Sequence, residues 1–276
     1  MAYVLTVTGR SPLSEAVGDA LRSAGTTGIW EVSALEWRAF FPAVLLDLPA
    51  ALAALSPPVG ASWKEEDPVD WAARYQASLR PLAVGRRFTI LPSEEIANPW
   101  PSRTPIGLVP GAAFGTGEHY TTASCLRVLE RLEGIGGGLL DVGCGSGILA
   151  SAAWMLGFRP VAACDVDPEA CRVAGETAIL NDTPFRVFVG SAGGTDAAFG
   201  TVVANILAET LVDLMPDLAA RVAPGGRLLL SGIMVERGEA VLGAAASEGL
   251  VPEERRTDGE WWTLVFRSDH RRDTRT

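Results

Sequence analysis

Residues 139–150 read LLDVGCGSGILA, an apolar run that gives way to Asp141, Gly143, Gly145 and Gly147 and then to a second apolar run. Glycines at such a strand-to-helix junction let the backbone turn tightly and approach a ligand closely, because no side chain occupies the ligand's space. The spacing D-x-G-x-G-x-G lacks the two-residue gap of the dinucleotide fingerprint G-x-G-x-x-G. About twenty residues beyond the loop, a second apolar run ends in ACDVDP, which puts Asp165 where a carboxylate accepts the hydroxyls of a ribose. Glycine loop and strand-end acid together point to a bound nucleoside. The neighbouring Asp167 reads as the cap of a helix opening at Pro168.

Two more polar runs interrupt apolar surroundings. PGAAFGTGEHYTT, residues 110–122, is too rich in glycine and threonine for a buried strand, and its double threonine suits the start of a helix. FGTVVANILAET, residues 199–210, ends an apolar strand on Asn205. A polar amide at that point sits on the sheet edge where open α/β folds bind ligands, although an asparagine there also caps helices well.

The elements that must carry these residues alternate. From about residue 120 we expect helix Thr121–Leu132, strand GLLDVG, helix Ile148–Leu156, strand PVAACDV, helix Pro168–Leu180 and strands FRVFVG and TVVANIL. Helix Glu209–Val222, strand GRLLLSG, helix Glu236–Ser247 and a last strand around Trp262–Phe266 complete the run. That order implies an open, mainly parallel sheet with helices on both faces, an α/β fold. Alternation sends one of Trp261 and Trp262 into the core and leaves the other free to border a substrate channel.

Residues 1–58 read as a separate small α+β module of pattern β-α-β-β-α, with its second helix stopping at Pro57 and Pro58. Residues 59–105 carry Trp63, Trp71, Trp100 and several prolines and read as a linker. Within it Glu65, Glu66 and Asp67 precede an expected helix from Pro68 to Leu79, a capping arrangement rather than a metal site. Residues 106–268 form the α/β domain, and 269–276 a frayed polar tail.

Composition narrows the chemistry. The 276 residues include 23 basic and 33 acidic ones, a net charge of -10 that disfavours a nucleic-acid substrate and leaves basic protein substrates open. Cys125, Cys144, Cys164 and Cys171 form no CxxC pair and accompany two histidines, so neither zinc nor a disulfide framework is suggested. No window approaches the roughly 18 apolar residues of a membrane span, and MAYVLTVTGR lacks the build of a signal peptide. We expect a cytoplasmic protein without metal or membrane partner.

The glycine loop and strand-end acid resemble those of the class I S-adenosylmethionine-dependent methyltransferases, which have a Rossmann-like domain. Within that class the chain is similar to the ribosomal-protein methyltransferase family PrmA. The likeness runs through DWAARYQASLRPLAVGRRFTILP, AFGTGEHYTT, DVGCGSGILA, DVDP, VVANILAE, PGGRLLLSGI and GEWWTL. It implies that the cofactor is S-adenosylmethionine, bound by Thr122, Asp141, Gly143, Gly145, Asp165, Asn205 and Ile206, with Phe114, Gly115 and Thr116 closing over it. Gly143 and Gly145 would line the methionine end, whose amino and carboxylate groups can use loop carbonyls and N–H groups directly.

The resemblance further implies a monomeric protein-lysine N-methyltransferase. Its substrate would be protein eleven of the large ribosomal subunit, modified at lysine side chains and at the amino terminus, with the small first module recognising it. Three positions depart from the family pattern: Val109 stands for an acid, Ala112 for a methionine and Tyr120 for a proline. Asn205 and Ile206 stand where other amino-group methyltransferases carry Asn-Pro-Pro-Tyr, so an aromatic contact to the target amine must come from elsewhere, with Phe114 one candidate. His119 is expected to hydrogen-bond within its loop rather than act as a base.

Methyl transfer to nitrogen needs alignment of donor and acceptor and exclusion of water more than a catalytic dyad. A lysine amine of pKa about 10.4 is neutral in roughly one molecule per thousand at pH 7.4, so the site must favour that form. Asn205 suits the task, since its carbonyl accepts from the amine without adding charge. The alternatives are a methyltransferase of another acceptor, a nicotinamide oxidoreductase, or a cofactor-binding module without chemistry.

Overall fold

The computed structural model describes residues 2–55, 58–66, 80–92, 96–109, 119–134 and 136–269. The helix expected over Pro68–Leu79, the residues Phe114, Gly115 and Thr116, and the tail beyond Asp269 lie outside them. The chain divides into two compact units, Met1–Ala77 and Ser78–Thr276.

The first unit is a four-stranded antiparallel sheet in the order β2-β3-β1-β4. Its elements are β1 (Ala2–Thr8), α1 (Glu15–Ser23), β2 (Gly28–Ser33), β3 (Glu36–Phe41), α2 (Leu48–Ala53) and β4 (Gly60–Glu66). Alternation puts Leu5 and Val7 of β1 and Ala39 and Phe41 of β3 on one face, where Val17 and Leu21 of α1 and Leu52 of α2 close the core. The expected boundary at residue 58 is corrected here: Thr8 through Ala2 pair with Gly60 through Glu66, so β4 belongs to this sheet and not to a linker. Its sequence, GASWKEE, shows little apolar alternation because β4 is an edge strand; among its described side chains, Ala61 and Trp63 pack against the core.

The described residues of the later part of the expected linker also form strands. Strands β5 (Leu82–Val84), β6 (Phe88–Leu91) and β7 (Thr104–Gly107) form a three-stranded sheet. The buried carboxylate of Glu130 accepts from the N–H groups of Arg86 and Arg87, and Asn181 exchanges two hydrogen bonds with the backbone of Gly107 (2.7 and 2.8 Å). These bonds fasten the small sheet to the helices of the second unit.

The large sheet has the order β10-β9-β8-β11-β12-β14-β13. Strands β8 (Leu139–Val142), β9 (Val161–Asp165), β10 (Arg186–Val189), β11 (Phe199–Asn205) and β12 (Val222–Met234) are parallel, and β13 (Leu250–Asp258) and β14 (Trp261–Ser268) complete one edge antiparallel. Helices α3 (Tyr120–Arg131), α4 (Ile148–Met155) and α5 (Pro168–Leu180) contribute to a core with Leu139, Ala163, Val203, Leu229 and Val265. The opposite face, Leu140, Cys164, Val202, Ala204, Leu228, Leu230 and Phe266, packs with α6 (Ala208–Arg221) and α7 (Gly238–Ser247). The period of two is thus kept across the sheet, and both faces are covered as the sequence requires.

Chain order reverses between β8 and β11: β8, β9 and β10 run to one edge, and the chain then returns to place β11 beside β8. Ligands of open α/β sheets bind outside the carboxyl ends of the strands at such a point. Strand β13 was not foreseen, since PEERRTD carries charge on nearly every residue. As an edge strand it buries little, and its charges blunt pairing with another chain.

Candidate functional site

A cavity of about 510 Å³ lies at the carboxyl ends of the parallel strands, within the roughly 300–1,000 Å³ typical of small-molecule sites. Val142 and Gly143 at the end of β8, Asp165 and Val166 at the end of β9, Gly190 and Ser191 after β10, and Asn205 and Ile206 at the end of β11 all line it. His119, Thr121 and Thr122 reach it from the start of α3, and Trp261 from the start of β14.

The glycine loop is held by its own amides. The N–H groups of Gly143 and Cys144 donate to the carbonyl of Cys164 (2.8 and 3.0 Å), and that of Gly145 donates to Asp165 Oδ2 (3.0 Å). These three donors are bonded within the protein, so of the loop carbonyls and N–H groups expected at the methionine end, the N–H groups of Gly143 and Gly145 are already engaged, while both glycines line the cavity. Gly143 has φ +70°, and a Cβ there would lie 2.4 Å from Ile206 Cγ2; glycine is needed for the conformation and for the approach of Ile206.

Asp165 accepts from Gly145 through Oδ2 and from Asp167 N–H through Oδ1 (3.0 Å), which fixes the carboxylate at the cavity wall. Each oxygen retains a lone pair for a ribose hydroxyl. Asp167 caps α5 by accepting from Glu169 N–H at 2.9 Å, as expected.

Asp141 differs from expectation. It is 1% exposed and is not part of the cavity wall; its Oδ2 accepts from Ala150 N–H (3.1 Å) in the first turn of α4, while Oδ1 has no partner. Gly147 has no side chain with which to cap α4, so Asp141 supplies the missing acceptor from the strand below. Burial pushes its carboxyl up to about 7, against the bond from Ala150 and with the charge of Asp165 adding to the rise. Asp141 is a positioning residue beneath the loop.

Asn205 donates from Nδ2 to Thr122 Oγ1 (3.2 Å), joining β11 to α3 at the cavity, and its buried Oδ1 has no partner among the described residues. Ser191 Oγ, also on the wall, is buried and unpartnered. Unsatisfied buried acceptors are costly unless a ligand completes them. His119 caps α3: Nδ1 lies 2.8 Å from Thr121 Oγ1 and accepts from Thr121 N–H at 3.4 Å. Tyr120 therefore opens the helix without the proline of the family pattern.

The sequence missed Ser191, Gly232 and Trp261 as wall residues. Gly190–Ser191 follow a strand whose end carries no acid to draw notice, and Gly232 reads as an ordinary glycine of SGI. Trp261 was left open by alternation; it borders the cavity, while Trp262 is buried at 8% exposure with the Arg255 guanidinium over its ring. The four cysteines are buried free thiols, and burial lifts Cys125 and Cys164 to about 12, so neither is a nucleophile at neutral pH.

S-adenosylmethionine fits these residues: an acid for a ribose, a glycine loop without side chains, and unpartnered Ser191 and Asn205 around a cavity of suitable size. Comparison with known proteins agrees. A relative from Geobacter metallireducens, named Ribosomal protein L11 methyltransferase, is 44% identical over 216 residues, 78% of this chain and 71% of its own. One of the same name from Pelotomaculum thermopropionicum is 40% identical over 228 residues, 81% of this chain and 74% of its own. Among solved structures, a ribosomal protein L11 methylase from Lactobacillus delbrueckii subsp. bulgaricus superposes with a TM-score of 0.65 at 32% identity, covering 70% of this chain and all of that one. The model of the family described as Ribosomal protein L11 methyltransferase (PrmA) matches residues 13–269, and the chain belongs to that family.

Proposed function

We propose that this protein transfers methyl groups from S-adenosylmethionine to amino groups of ribosomal protein L11, at lysine side chains and the amino terminus. The observation that carries the reading is the single cavity in which Asp165, held by two backbone donors, and Asn205, with an unpartnered carbonyl oxygen, sit either side of the glycine loop. Asp165, Ser191 and the loop would hold the cofactor, with Ile206 and Thr122 bordering it. Of the other expected contacts, Phe114, Gly115 and Thr116 remain part of this proposal.

When bound, S-adenosylmethionine supplies the methyl group: the amine lone pair forms the N–C bond as the S–C bond breaks, and that electron pair stays on sulfur. The chain's own residues orient the amine and exclude water. Asn205 Oδ1 accepts a hydrogen bond from the incoming amine and, unlike a carboxylate, adds no negative charge that would hold the amine as ammonium. The cavity contributes burial, which lowers the amine's pKa, and the proton released after each transfer passes to solvent.

The remaining elements of the reading are a cytoplasmic, monomeric enzyme with a protein acceptor rather than a nucleic acid, supported by the net charge of -10. The first unit, none of whose described residues lines the cavity, serves to recognise the substrate. A nicotinamide enzyme is disfavoured because the amides at 143–145, which would face a pyrophosphate, are already bonded within the protein. Intact-mass spectrometry of purified L11 after incubation with the protein and S-adenosylmethionine tests the proposal. Gains in methyl-sized steps support it; an unchanged mass with cofactor binding intact rejects L11 as the acceptor.

A further inference from the structure

The cavity has two chemically different halves. Neighbouring strands lie roughly 4.8 Å apart, so Asp165 on β9 and Asn205 on β11, with β8 between them, stand roughly 10 Å apart along the sheet edge. That stretch, with the glycine loop and the strand-end acid, is the nucleoside half. Beyond Asn205 the edge continues over β12 to β14, where Met234 pairs with Trp261. This second half is walled by Leu207, Gly232 and Trp261.

Among the described residues the second half holds no carboxylate. Asp165 is the one acid among the described wall residues, and it lies on the nucleoside side with both oxygens engaged. Among these described residues an amine entering here meets no ion-pair partner. What it meets is an indole held in place: the His119 ring packs edge-on to Trp261 with centroids 5.0 Å apart and an interplanar angle of 78°, and His119 is itself fixed by Thr121. The face of an indole attracts an ammonium or methylated ammonium and repels an anion.

We infer that Trp261 forms the aromatic wall of the acceptor half and positions the target amine, so that the site takes flexible aliphatic amines and keeps them after each methylation. Asn205 then contacts the amine's hydrogen and Trp261 its cationic face, which replaces the aromatic residue of the Asn-Pro-Pro-Tyr arrangement by one from a distant strand. The inference rests on the methyltransferase reading above, and it concerns only residues of this chain toward the acceptor. Each methylation leaves one N–H fewer for Asn205, whereas the attraction to the ring persists; Trp261 therefore matters most for the later methyl groups.

The test compares Trp261→Leu, which keeps an apolar side chain on β14, with Trp261→Phe. We expect Trp261→Leu to raise KM for L11 on the order of 5- to 30-fold, the range that a desolvated cation over an indole implies, with fewer methyl groups per amine by intact mass. The calorimetric Kd for S-adenosylmethionine should stay within about twofold, and Trp261→Phe should restore most of the loss. A second readout needs no turnover: the indole N–H resonance of Trp261, identified by its absence in the variant, should shift with tetramethylammonium chloride and not with tert-butanol. An unchanged KM and mass distribution in Trp261→Leu, equal loss in both variants, or an indole signal indifferent to tetramethylammonium overturns the inference. If L11 is not methylated at all while the indole still responds, the proposed function falls and the aromatic wall stands.

Discussion

The side-chain amide of Asn205 donates to Thr122 Oγ1 across 3.2 Å and presents a carbonyl oxygen that no other group among the described residues takes up. One bond fixes the amide's orientation, and the orphaned oxygen shows where a donor must come from. Asn205→Ala should lower kcat for L11 by about 10- to 100-fold, the worth of one hydrogen bond in a buried site, with little change in cofactor affinity. Asn205→Asp is the sharper variant: a carboxylate raises the pKa of the incoming amine, so the pH–rate profile should move to higher pH. A profile superimposable on the wild type would remove Asn205 from contact with the amine.

Asp165 should control cofactor affinity. An asparagine has one acceptor oxygen, so in Asp165→Asn either Gly145 N–H or Asp167 N–H loses its partner, and a ribose hydroxyl loses charge-assisted bonding. The Kd for S-adenosylmethionine should rise about 10- to 100-fold by calorimetry, with the fold retained.

Asp141 predicts a pH dependence of stability. Its carboxyl titrates near 7 in the folded state, above its ordinary value of 3.8, so the unfolded chain loses this proton first as pH rises. The stability it contributes is full below about pH 4, declines as pH rises toward 7, and the loss amounts to at most about 4 kcal/mol. Asp141→Asn, which can still accept from Ala150, should gain thermal stability relative to the wild type between pH 5 and 8. Parallel melting curves across that range would show that the carboxyl is already charged in the fold.

The boundary of the first unit predicts how the chain can be cut. A protein beginning at residue 59 carries β4 without β1, its partner along seven residues, and exposes a strand edge. A protein beginning at Ser78 removes the whole unit and should bind S-adenosylmethionine as the full chain does while methylating L11 at a greatly reduced rate. Equal methylation would place substrate recognition in the second unit.

Much of the second unit was legible because its signals are local. The helix over Pro168–Leu180 has a proline start and an aspartate cap, and it forms over those residues; the buried strands announce themselves as apolar runs. Asp165, Asn205 and the glycines were legible as site residues for the same reason, each standing out against an apolar strand. Strands β4 and β13 were not legible, since edge strands satisfy their backbone from one side and leave charged residues exposed. Asp141 was read as a contact because it belongs to the motif; only the three-dimensional position of Ala150 shows that it serves the helix. Trp261 needed the pairing of β12 with β14 to bring it to the cavity.

Ile206, just after β11, occupies a place between a glycine that follows β8 and one on β12: its Cγ2 would lie 2.4 Å from a Cβ at Gly143, and its carbonyl oxygen 2.4 Å from a Cβ at Gly232. Positions 143, 206 and 232, far apart in the chain, are therefore sterically coupled. A drift to alanine at either glycine is blocked while the isoleucine backbone and side chain stay where they are, whereas trimming Ile206 to valine or alanine leaves both glycines undisturbed. An engineer who wishes to admit a bulkier acceptor or an enlarged methyl donor has one entry point among the three, and it is the residue between the glycines.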